Sequence, residues 1–240
     1  MLAFDSHVHT RFSDGTIFYN GIADLKELQL KHGFDAFTIT DHNTTKGLRY
    51  TRRACEQLGI PFIPGVEIST KEGHVAAYGV ERWDHPAYRL PLVEALELLM
   101  EQNAVIVPAH PFDGRMGIGN LIFEPAIKRM IHGFEIFNGA SPRQNLRCTR
   151  KAGNLPGELA MYAGSDCHSK VMFYRYHVEL DCNSTKVDDI LEAMRDTTKV
   201  KPVGSLLEIL RWIGDYVPAE IGRRKLKRAR KGVEVPELFS

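Results

Sequence analysis

Short apolar runs of strand type alternate with stretches of helical spacing from one end of this 240-residue chain to near the other. That alternation constrains the fold more than any other feature. Ala3–His9, Ala36–Thr40, Pro61–Ser69, His74–Tyr78, Ala104–Ala109, Gly133–Phe137, Ala160–Gly164 and Tyr176–Leu180 read as strands. Between them, Gly21–His32, Lys46–Gly59, Leu90–Gln102, Glu124–Ile131, Arg143–Asn154 and Lys186–Thr197 carry the apolar period of helices. Two of these end on glycine, at Lys31-His32-Gly33 and Gln57-Leu58-Gly59, as a helix stop should. Repeated βα order predicts an α/β fold with a mainly parallel sheet, closed or nearly closed. The expected layout is one barrel domain over 1–204 and a C-terminal helical segment over 205–240.

Polar residues gather where the strands stop. His7 and His9 close the first strand, Asp41-His42 follow the second, and Glu67 falls late in the third. His110 follows Ala104–Ala109, and Asp166 and His168 follow the strand ending at Gly164. In a parallel barrel such positions converge on one rim, where active sites sit. His7 and His9 alternate on a strand and so project to the same side, as two ligands of one ion would. Asp14, in Ser13-Asp14-Gly15, also reads as a plain turn, and Asp41 also reads as a helix N-cap. Glu67 lies in the apolar run Ile63–Ile68, and a buried carboxylate there needs a cation or a metal. His74 stands alone in Gly73-His74-Val75-Ala76, as a ligand or as a satisfied structural histidine. Six of the ten histidines occupy strand ends together with Glu67 and Asp166, too many for coincidence. Imidazole mixed with carboxylate, without a cysteine motif, suits Zn, Mn or Fe rather than Ca or Mg.

The ordered motifs His7-Val8-His9, Asp14, Thr40-Asp41-His42, Gly65-Val66-Glu67, His110-Pro111 and Ser165-Asp166-Cys167-His168 resemble those of the PHP (polymerase and histidinol phosphatase) superfamily. The resemblance implies a distorted (β/α)7 TIM-like barrel with three divalent transition metal ions. Carried over residue by residue, it gives a first ion to His7, His9, Glu67 and Asp166. A second takes Asp14, His42 and His168, and a third takes the bridging Glu67 with His74 and His110. Asp41 is then expected to orient an imidazole. Ser165 would do the same or touch substrate, and Cys167 would be a packed thiol. The implied reaction is attack on phosphorus by a hydroxide shared between the first two ions. Arg115, in the loop Phe112–Asn120, and Arg143, after Asn138–Pro142, are candidates for holding a substrate phosphate, with an ordinary surface role as the alternative.

The resemblance implies as substrate a small phosphorylated metabolite, a nucleotide or a nucleic-acid end. The chain between Glu67 and His110 has no room for the large inserted domain of some nucleotide-directed members. Two other classes compete with this one. An amidohydrolase-type site usually uses a bridging carbamylated lysine, and no lysine here occupies an evident strand end. A metal- or nucleic-acid-binding module without turnover would work through residues 223–231, which carry seven positive charges and no acids. That run hides within a net charge of +1, the remainder holding 24 basic and 30 acidic residues. It suits binding to nucleic acid by counterion release, and it also reads as a solvated helix end. No run approaches the ~18 apolar residues of a membrane span. The start Met1–Asp5 shows no export signal, and four scattered cysteines suit reduced thiols; both point to the cytoplasm.

Overall fold

The computed structural model describes residues 1–85, 90–151, 154, 157–204, 221–222, 224–226 and 228. Among these residues, ten strands and six α-helices make one mixed α/β domain. In chain order they are β1 (Leu2–Phe4), α1 (Ile22–His32), β2 (Phe37–Thr38), α2 (Leu48–Leu58), β3 (Phe62–Ile63), β4 (Gly65–Ser69) and β5 (His74–Tyr78). There follow α3 (Leu92–Glu101), β6 (Val105–Pro108), α4 (Pro125–Lys128), β7 (Gly133–Asn138), α5 (Pro142–Arg150), β8 (Ala160–Gly164), β9 (His177–Leu180), α6 (Val187–Arg195) and β10 (Val200–Val203).

The helices follow their sequence signals. α1 and α2 stop where Gly33 and Gly59 adopt left-handed backbone, which costs glycine little. Prolines open α4 and α5, where a missing N–H is no loss. In α3, Leu92, Ala95, Leu96 and Leu99 form one buried stripe, packed with Val66, Val75 and Ile106 in a shared apolar core. The expected helix over Glu124–Ile131 shrinks to one turn, preceded by a 3-10 turn over Gly119–Phe123.

The sheet departs from expectation. Among the described residues the strands fall into four separate small sheets and form no closed sheet. β2–β3 and β7–β8 are parallel, but β4–β5–β6 and β1–β9–β10 are antiparallel. β10 has no counterpart among the expected strands. The single expected strand Pro61–Ser69 is cut at Pro64, between β3 and β4, where proline can donate nothing to a ladder. β5 runs back beside β4 through the short Thr70–Gly73 turn, closed by the Thr70 N–H to Gly73 carbonyl bond. A two-strand hairpin of this kind is antiparallel by necessity. The first strand ends at Phe4, and the chain runs on as isolated contacts, with Val8 bridged to Cys167.

Single backbone hydrogen bonds link the ladders. His9 donates to Cys167, Thr40 to Val8, Glu67 to Asp41, Asn43 to Glu67 and His132 to Ile106. Around these lie three apolar cores, the third holding Val8, Ile39, Cys55 and Cys167 under α1 and α2. All four cysteines are free. No described helix is long and apolar enough to cross a membrane. The expected segment 205–240, with its basic run 223–231, lies almost wholly outside the described residues. Truncating fully buried Leu96 to alanine is expected to cost about 2–5 kcal/mol in urea unfolding.

Candidate metal centre

Six strands, β1, β2, β4, β5, β6 and β8, and the segments beside them bring all nine expected ligands into one cluster. Its hub is Glu67, in the middle of β4 and fully buried. His74 Nδ1 lies 3.0 Å and His110 Nε2 3.3 Å from Glu67 Oε1. On the other oxygen, Oε2, converge His42 Nδ1 at 2.8 Å and His7 Nε2 and His9 Nε2 at 3.4 Å each. Asp166 Oδ1 stands 3.1 Å from His9 Nε2 and 3.6 Å from His7 Nε2. Asp14 Oδ1 completes the set, 3.0 Å from His168 Nε2 and 3.9 Å from His42 Nε2. His74 reaches the cluster from the start of its strand, because β5 runs antiparallel to β4 and β6.

Backbone geometry aims two of these side chains. His110 and Asp166 have left-handed backbone, with φ of 31° and 50°. Such a conformation costs of order 1–3 kcal/mol outside glycine, and the surroundings must hold it. The His110 N–H donates to Glu135 Oε2 at 2.7 Å. At the end of β1, Asp5 accepts the N–H groups of His7, Ser165 and Tyr174. Burial still raises the Asp5 carboxyl to about 6.

Carboxylates and imidazoles shift one another's ionisation across the cluster. Burial opposes charge on His7, but Asp166, Glu67 and Glu135 outweigh it and raise its pKa well above the usual range. His42, despite its desolvation, is pushed up to about 9 by Glu67 and Asp14. His9 falls to about 3, through burial and then repulsion from His168 and His42. Glu67 and Asp166 are desolvated too, yet the surrounding imidazoles hold both well below the ordinary carboxylate range.

Three donor groups could each surround an ion, with donor atoms within 4.8 Å of one another: His7, His9 and Asp166; His9, Asp14, His42 and His168; and His42, Glu67 and His74. Glu67 Oε2 makes no hydrogen bond of ordinary geometry although three imidazole nitrogens face it. Imidazole nitrogens and carboxylate oxygens gathered this closely fit divalent metal ions. The residues present therefore suit the ions the motifs imply.

Two expected roles change. Asp41 does not hold an imidazole: it accepts the Thr10 N–H, the Thr10 hydroxyl and the Ser13 hydroxyl, at 2.6–2.7 Å. It thereby fixes the loop that carries Asp14. Ser165 is fully buried and donates to the His7 carbonyl, so it joins two strand ends rather than meeting substrate. Cys167 is packed in the core, as expected. Arg115 and Arg143 are exposed, on the segments that follow β6 and β7.

Glu135 and Asn138 were not anticipated. Glu135 Oε1 accepts from His7 Nδ1 at 3.1 Å, and Asn138 Nδ2 donates to Glu135 Oε2 and to Asp166 Oδ2. A lone glutamate inside the otherwise apolar run Gly133–Phe137 was the available signal, of the same kind that marked Glu67.

Comparison with known proteins decides the family. A model of the PHP domain matches residues 5–190. The chain belongs to the PHP domain family. A protein of Methanocaldococcus jannaschii is 27% identical, over 56% of this chain and 80% of that one. The 3',5'-nucleoside bisphosphate phosphatase of Chromobacterium violaceum is 32% identical over 34% of this chain, and the match spans only 29% of that enzyme. Among solved structures, PsfC from Pseudomonas syringae superposes with a TM-score of 0.70 at 17% identity, covering 94% of this PHP chain and 98% of its own.

Gly164 lies against the cluster: a Cβ there would strike His7 Cβ and come within 2.9 Å of Glu135 Oε1. Gly164→Ala is expected to displace His7 and weaken metal binding about tenfold or more, read by elemental analysis after gel filtration.

Proposed function

We propose that this PHP chain is a metal-dependent phosphoesterase that hydrolyses the phosphate ester of a small metabolite, a nucleotide or a nucleic-acid end. The observation that carries the reading is the convergence of six imidazoles and three carboxylates on Glu67 and its neighbours. The naming of the C. violaceum relative as a bisphosphate phosphatase supports the ester class.

We assign His7, His9, Glu67 and Asp166 to a first ion, Asp14, His42 and His168 to a second, and Glu67, His74 and His110 to a third. Bound there, such ions lower the pKa of water and absorb charge developing on phosphoryl oxygens. The protein's own groups supply orientation and access. Asp14, His42 and His168 are the accessible members, with side-chain exposures of 37%, 29% and 24%, whereas His7, His9 and Glu67 are closed off from water. Substrate phosphate therefore enters from the Asp14 side. Asp41 holds that side's loop through Thr10 and Ser13, which limits its motion during turnover. Arg115 and Arg143 are assigned to the non-reacting part of the substrate, as guanidinium partners for a phosphate oxygen.

We also read the strands as a distorted (β/α)7 barrel in the order β1, β2, β4, β5, β6, β7, β8. Backbone bonds from His9 to Cys167, Thr40 to Val8, Glu67 to Asp41 and His132 to Ile106 support that order where ladders are lacking. Residues 223–231 are assigned a secondary role in holding polyanionic substrates.

Mn²⁺-loaded protein is expected to turn over at least one member of a panel of phosphate monoesters, diesters and short oligonucleotides. The His7, His9 and Asp166 triple alanine variant should lose both metal and turnover. Activity in the metal-free triple variant, or none in metal-replete wild type, would sink the reading. Removing residues 223–240 should leave turnover of a small generic ester intact and raise KM only for oligonucleotides.

A further inference from the structure

Glu135 and Asn138 stand three positions apart on β7, a spacing that on a regular strand sends side chains to opposite faces. A β-bulge intervenes. Glu135 pairs with Tyr162, Phe137 with Ala163 and Asn138 with Gly164, so one extra residue, Ile136, is absorbed between Glu135 and Phe137. The two polar residues thus fall on one face, and that face is the buried side of the metal centre. Bulges beside functional sites commonly re-aim a side chain in this way.

The bonds of the pair form one chain of donors and acceptors. Glu135 Oε1 accepts from His7 Nδ1, which turns His7 Nε2 into the cluster, 3.1 Å from His9 Nε2 and 3.6 Å from Asp166 Oδ1. Glu135 Oε2 takes the backbone N–H of His110 at 2.7 Å and one amide hydrogen of Asn138 at 2.8 Å. The other amide hydrogen of Asn138 goes to Asp166 Oδ2 at 3.2 Å, leaving Oδ1 toward His9. Asn138 Oδ1 meanwhile accepts the N–H groups of Ala140 and Ser141, which fixes which way the amide points. Both residues are buried. Three candidate ligands from three different strand ends are therefore held by two residues that lie outside the candidate donor groups.

We infer that Glu135 and Asn138 are positioning residues that orient His7 and Asp166 at the first ion and His110 at the third, and so set metal affinity at both. This rests on the metal-dependent reading above. Carboxylate partners of metal-bound imidazoles fix tautomer and ring angle, and losing one commonly costs 10–100-fold in affinity. Asn138 also places two N–H donors between carboxylates that would otherwise repel.

A Co²⁺ titration of metal-free wild type, Glu135→Gln, Asn138→Ala and Leu96→Ala tests the inference, followed by visible absorption and paired with urea unfolding of each metal-free protein. Glu135→Gln and Asn138→Ala should bind Co²⁺ about 10–100-fold more weakly and shift its d–d bands. Leu96→Ala should lose stability yet keep wild-type affinity and spectrum. If Glu135→Gln fails to fold, Asn138→Ala carries the same expectation. Wild-type affinity and spectrum in the folded variants would overturn the inference alone, as would an affinity loss matched by Leu96→Ala. A wild-type chain that takes up no Co²⁺ would overturn the reading beneath it.

Discussion

A carboxylate with no access to water, set in the middle of an apolar strand, is the constraint on which the rest of this structure depends. Glu67 could be left in such a place only if its charge were met on every side. Five imidazoles meet it, delivered by the end of β1, the segment after β2, the start of β5 and the end of β6. Each must arrive at a fixed distance, so the strand ends are fixed relative to one another as well. The apolar cores supply the energy for that arrangement, and the Glu67 cluster selects the arrangement they must adopt. Removing one histidine would leave the others facing a charge with fewer partners, which makes the cluster a unit rather than a sum.

Much of this was legible in the sequence, for reasons that differ by residue. Glycine stops and apolar stripes located α1, α2 and α3 because those signals are local. The clustering of the nine candidate residues was legible because histidines at successive strand ends are rare and costly. Strand direction was not: the antiparallel return of β5 is dictated by the short Thr70–Gly73 turn, which apolar spacing does not report. β10 stayed hidden because Val200-Lys201-Pro202-Val203 carries a proline and only a half-buried face, as an edge partner of β9 can. Glu135 and Asn138 were missed because their spacing has the wrong parity for a shared face until a bulge is allowed. Asp41 and Ser165 were assigned to imidazole or substrate because motifs report position, whereas hydrogen-bond partners depend on which loop folds back.

The centre is also graded from closed to open. His7, His9 and Glu67 form a floor without solvent, and Asp14, His42 and His168 form a lip. Screening by water and salt is weak at the floor and strong at the lip. Charge on the floor therefore acts on its neighbours at nearly full strength. The lip, whose loop is held by Asp41, is the part of the cluster that solvent reaches.

The left-handed backbone at His110 and Asp166 has a consequence for how such a chain changes over generations. At both positions glycine would relax the main chain, so mutation always has a route to lower local strain there. That route removes a member of the histidine and carboxylate cluster each time. Local comfort of the chain and competence of the centre are thus opposed at these two residues, and selection for one must continually work against drift toward the other.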